Sequence, residues 1–160
     1  MSLPCFWDYD RVNLISKGKI AGDMPWSDIG LSMNYDINIL IVEDLLTTRL
    51  FLRRTLKKLG YTNVVLSADG EIALKELERK PFDLIISDWH MPHMDGLDFY
   101  KALSKNQKWS EIPFLLITAE KERNKVVEAV EAGIKEYLVK PVKPENLSDK
   151  IKEVVFGGAA

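Results

Sequence analysis

Cysteine is almost missing from this chain: Cys5 stands alone among 160 residues. A lone thiol excludes an intramolecular disulfide and any cysteine-based zinc cage, and it suits a reducing compartment. No stretch approaches the roughly 20 apolar residues of a membrane span, so no membrane insertion is expected. The amino terminus also lacks the charged and then apolar pattern of a signal peptide, and the protein is read as cytoplasmic. Charge of one sign is equally scarce. A net charge of −2 leaves no basic footprint for direct nucleic-acid binding and no polybasic patch for a membrane surface. Histidine is limited to His90 and His93, whose i, i+3 spacing falls in a proline-containing loop and offers no transition-metal cage.

What is there fits an ordinary globule. With 46% apolar and 29% charged residues, the chain can form one domain that buries about two thirds of its unfolded surface. From Ile37 onward, strand-like and helix-like segments alternate. Strands are expected at 37–42, 63–67, 83–87, 113–117 and 135–139, and helices at 46–59, 70–78, 96–105, 121–132 and 144–155. Leu52, Leu56 and Leu59, like Leu147, Ile151 and Val154, keep the i, i+4, i+7 spacing of an amphipathic helix. Gly60 and Gly133 follow helices, Pro81 blocks one, and Pro144 stands where a first helical turn accepts proline. Strict alternation implies a parallel sheet covered by helices on both faces.

Residues 1–36 do not join this alternation. They hold Phe6, Trp7, Tyr9 and Trp26, more aromatic character than a disordered tail usually carries. They are read as an amino-terminal extension of unknown role, with Trp7 or Trp26 expected to dock on an apolar groove of the domain or of a second copy. The domain itself is read as 37–156, followed by a tail at 157–160.

Chemistry concentrates at the strand ends. The apolar run Leu84-Ile85-Ile86-Ser87 stops at Asp88, the first strand runs into Glu43-Asp44, the fourth into Thr118-Ala119, and the fifth into Lys140-Pro141. In a parallel sheet all carboxyl ends share one edge, where open α/β folds place their sites. Three acids, a hydroxyl and an ammonium are therefore expected to meet. Carboxylates about 5 Å apart repel by roughly 3 kcal/mol at an effective dielectric near 20, which calls for a divalent cation. Asp95-Gly96 is read as turn and cap chemistry.

The motifs IVEDLLTTR, LSADGEIAL, IISDWHMPHMDGLDF, ITAEKE and AGIKEYLVKPV resemble the receiver domain of response regulators, over about residues 34–155. The resemblance implies a flavodoxin-like five-stranded parallel sheet of order 2-1-3-4-5. It makes Asp88 the phosphoacceptor, fed by a histidine kinase or phosphotransfer protein. It implies Mg²⁺ held by Asp44, Asp88 and the His90 backbone carbonyl, with Glu43 acting through water. Lys140, Thr118 and the Ala119 backbone N–H would contact the phosphoryl group, and His90 and Glu120 would tune its lifetime. Thr118 and Tyr137 would form the switch, Lys140-Pro141 a cis peptide, and the 121–156 face the surface for a downstream protein. Chemotaxis is the preferred setting, with a phosphorelay, a stress pathway or a fragment of a longer regulator as alternatives. No DNA-binding segment follows residue 155, so direct transcriptional output is not expected. A hydrolase of the haloacid-dehalogenase type wants a second aspartate two residues after its nucleophile, and His90 stands there. A pseudo-receiver that works without phosphate is opposed by the complete set of acids, threonine and lysine.

Overall fold

The computed structural model describes residues 35–119 and 123–157. Most of the amino-terminal extension, with Trp7 and Trp26, lies outside the described residues, as do Glu120, residues 121 and 122, and the last three residues of the tail.

Strands and helices alternate as β1 (Ile39–Val42), α1 (Leu46–Lys58), β2 (Val64–Ser67), α2 (Gly70–Arg79), β3 (Leu84–Asp88), α3 (Gly96–Ser104), β4 (Phe114–Thr118), α4 (Arg123–Glu131), β5 (Glu136–Val139) and α5 (Pro144–Ile151). The sheet is parallel throughout, in the order β2-β1-β3-β4-β5. Because successive strand side chains point to opposite faces, each inner strand feeds two cores. Leu40, Val42, Ile85 and Leu116 face Ala73, Leu77, Phe99, Leu103 and Ala129 of α2, α3 and α4. Ile39, Ile41, Ile86 and Ile117 face Leu52, Leu56, Leu147 and Ile151 of α1 and α5. The near-continuous apolar runs of the inner strands follow from burial on both sides.

Local chemistry sets the helix ends. Asp69 caps α2 by accepting from the Ile72 N–H at 2.8 Å, and Asp95 caps α3 by accepting from the Asp98 N–H at 2.8 Å. Lys80, which precedes Pro81, is extended and ends α2, as a residue before proline should. Gly60 and Gly133 take positive φ after α1 and α4, the left-handed stop that glycine allows. The last helix departs from expectation: α5 stops at Ile151 and passes into a π-turn over Lys152–Phe156. The wider turn brings both Val154 and Val155 against the core, where an unbroken α-helical stripe would use Val154 alone.

Candidate functional site

Adjacency of β1 and β3 positions the acids. Val42 lies beside Ser87 in the sheet, so the residues that follow, Glu43 and Asp88, emerge side by side at the carboxyl edge. Asp88 is itself the last residue of β3, opposite Ile117 of β4. Thr118 ends β4 one position further on and is buried. Val139 pairs with Thr118, and the Lys140 N–H donates to the Thr118 carbonyl at 2.8 Å. The peptide between Lys140 and Pro141 is cis, as expected.

The side chains converge. Oxygens of Glu43, Asp44 and Asp88 all lie within 4.8 Å of one another. Glu43 is 1% and Asp88 7% exposed, and Asp44 is the most open of the three. The Lys140 Nζ reaches Asp88 Oδ1 at 2.9 Å and Glu43 Oε2 at 3.3 Å. Glu43 accepts at its other oxygen from the Leu45 N–H at 3.1 Å. Burial pushes the Glu43 carboxyl above its ordinary range, the Leu45 N–H pulls it back, and the Asp88 charge pushes it up again. Burial pulls the Lys140 ammonium down, but its hydrogen bond to Asp88 and the charges of Asp88 and Glu43 outweigh that and raise it overall.

Three carboxylates against one ammonium leave an excess of two negative charges in a partly dry cluster, and buried charge needs compensation. Hard oxygen donors at this spacing suit a divalent cation of the Mg²⁺ type, which takes one or two protein carboxylates and keeps waters. The donor set therefore fits the expected metal.

The loop after β3 presses on the acceptor. A Cβ at Gly96 would meet the Asp88 carbonyl oxygen at 2.2 Å, and the Gly96 N–H donates to the Trp89 carbonyl at 2.7 Å. Trp89 is buried, whereas His90 is exposed, with its Nε2 3.5 Å from the Lys125 Nζ. Ala119, directly after β4, is exposed. Tyr137 lies on β5, paired with Leu116 of β4, with 37% of its surface open. One neighbour of the cluster escaped the sequence reading. Arg49 Nη1 donates to the carbonyls of Glu43 and Asp44 at 2.6 and 3.3 Å. Its signal was a cation five and six residues after the acidic pair, a spacing that no helical periodicity singles out.

Residues 39–152 match the family described as response regulator receiver domain. The chemotaxis protein CheY of Pseudomonas aeruginosa is 37% identical over 118 residues, which cover 74% of this chain and 95% of that protein. The solved structure of CheY4 from Vibrio cholerae superposes with a TM-score of 0.69 at 36% identity, over 74% of this chain and 98% of that one. The receiver domain of the sensor histidine kinase PA1611 from Pseudomonas aeruginosa superposes with a TM-score of 0.68 at 28% identity, over 74% and 97%. That domain was solved with a magnesium ion coordinated in its active-site cleft. The chain belongs to the response regulator receiver domain family, with the parallel 2-1-3-4-5 architecture of CheY-like proteins. Receivers are signalling switches that take phosphoryl groups from histidine kinases and act on downstream partners. Among the described residues no helix is long and apolar enough to cross a membrane.

Proposed function

We propose that Asp88 is the phosphoacceptor of a two-component signalling switch in chemotaxis or a related cytoplasmic pathway. The observation that carries this reading is the contact of Asp88 with Lys140 inside a cluster that also holds Glu43 and Asp44. The donor would be a histidine kinase or phosphotransfer protein carrying phosphohistidine. An Asp88 oxygen attacks the phosphorus as the P–N bond breaks, and the imidazole leaves with the electron pair and takes up a proton. Phosphoryl transfer asks the protein chiefly for in-line positioning and neutralised charge.

Asp44, Asp88 and the His90 backbone carbonyl would hold Mg²⁺. Glu43, both of whose oxygens are already engaged, would act through water. When bound, the ion supplies positive charge to the transferring phosphoryl oxygens. Lys140 supplies a further point charge, and the Thr118 hydroxyl and Ala119 N–H supply donors. His90 and Glu120 would set access of water to the acyl phosphate, the sole turnover being the protein's own phosphorylation and dephosphorylation. Movement of Thr118 toward the phosphoryl group would let Tyr137 turn inward and alter the 121–156 face. Val127 and Val130 of α4, both exposed, support that face as the surface for a downstream protein. Residues 37–156 are taken as the receiver, 1–36 as a separate extension and 157–160 as its tail.

Intact-protein mass after treatment with a small-molecule phosphodonor tests the reading. A single Mg²⁺-dependent phosphoryl adduct, absent in Asp88→Asn, is expected. Folded wild type that gains no adduct would refute it.

A further inference from the structure

The connection from β1 to α1 carries two of the three carboxylates, yet Leu45 gives α1 no side-chain cap. Arg49, one turn into the helix, reaches back across this connection. Its Nη1 donates to the Glu43 carbonyl at 2.6 Å, a short charge-assisted bond, and to the Asp44 carbonyl at 3.3 Å. Its own backbone N–H donates to the Leu45 carbonyl at 2.9 Å. One residue thus closes the first helical turn and ties it to the strand end. The side chain is half-buried, and among the described residues it makes no ion pair with a carboxylate. Its charge is spent on two carbonyls, while the acidic side chains of the same two residues gather with Asp88.

We propose that Arg49 is a positioning residue of the metal site. The inference rests on the reading of Asp44 and Asp88 as direct ligands and Glu43 as a water-mediated one. Like charges at this spacing push apart; the Leu45 N–H and Lys140 hold the Glu43 side chain, while Arg49 holds the backbone carbonyls of both Glu43 and Asp44. Arg49 fixes the orientation of the Glu43 and Asp44 peptides, so that the carboxylates are already assembled when the ion arrives. Mg²⁺ demands near-ideal octahedral geometry, and a relaxed connection would have to be rebuilt around it. Groups that orient metal ligands in this way commonly account for a 10–100-fold difference in affinity.

Calorimetric Mg²⁺ binding to the full chain, for wild type, Arg49→Met and Arg49→Lys, tests this, with urea unfolding of each in EDTA. Arg49→Met should bind about 10–100-fold more weakly. Arg49→Lys should fall between, because an ammonium reaches one carbonyl better than two. Wild-type affinity in Arg49→Met, with or without a lower unfolding midpoint, overturns the proposal and leaves Arg49 an anchor of the helix. Should Arg49→Met not fold, Arg49→Lys decides alone: weakened binding supports the proposal and unchanged binding overturns it. A wild-type chain that takes up no Mg²⁺ brings down the metal reading itself, and this inference with it.

Discussion

Replacing Asp44 by Asn removes one of three clustered charges while keeping the shape of the side chain. At the 4.8 Å that bounds the cluster, two unit charges repel by about 3.5 kcal/mol at an effective dielectric near 20, and by about 0.9 kcal/mol in bulk water. Asp44 is the most open of the three acids, so the lower end applies, at about 1 kcal/mol for each of its two pairs. Lost attraction to the Lys140 ammonium, which sits on the other two carboxylates, cancels part of that gain. Metal-free Asp44→Asn should therefore be more stable than wild type by about 1–2 kcal/mol. For a domain of this size that is roughly 3–5 °C in Tm per kcal/mol. Mg²⁺ reverses the order. An ion that binds only the folded state adds about 2.7 kcal/mol at a concentration of 100 times Kd, and the variant, short of the ligand proposed at Asp44, should receive little of it. Thermal unfolding in EDTA and in saturating Mg²⁺ reads both effects: the variant should melt above wild type in the first and below it in the second. A variant that melts below wild type in EDTA, or keeps its rank in Mg²⁺, would refute the electrostatic account of the cluster.

Gly96→Ala should cost about 3 kcal/mol or more, because the added Cβ meets the Asp88 carbonyl oxygen at 2.2 Å and the Trp89 Cα at 3.0 Å, both backbone atoms; an unchanged urea midpoint would contradict this. His93 has φ 68°, a left-handed conformation that costs a side chain about 1–2 kcal/mol, so His93→Gly should gain about 0.5–1 kcal/mol after the entropy of a freer unfolded chain is subtracted. Chemical denaturation decides the sign. Lys140 has a folded pKa above its ordinary 10.5, so its contribution to stability is complete below pH 10.5 and is lost as pH rises through the folded value. The alkaline fall in stability should be shallower in Lys140→Met. Glu43 has a folded pKa above 4.5, so its ionised form costs stability in full above the folded value, and the cost fades as pH drops toward 4.5. Metal-free Glu43→Gln should accordingly gain stability at pH 7 and little near pH 4.5.

The site was legible because its signals are strand ends. A buried parallel strand writes itself as an apolar run, and the place where the run stops fixes which residue reaches the carboxyl edge, so Glu43, Asp88, Thr118 and Lys140 could be set on one edge from alternation alone. Their nearness needed only the sheet order, with β1 beside β3, β3 beside β4 and β4 beside β5. Contacts across the backbone leave no such trace. The nearness of Gly96 to the Asp88 carbonyl depends on how tightly the loop after β3 folds over its own strand, and the turn signal of Asp95-Gly96 is the same whether that loop is tight or open. Arg49 is the stronger case. As a cation on an amphipathic helix it looks like solvated surface, and only the path of the chain between β1 and α1 turns it toward the carbonyls of Glu43 and Asp44. Side chains that do the chemistry announce themselves by type and position, whereas those that hold them in place act through the main chain, where almost any sequence presents the same carbonyl.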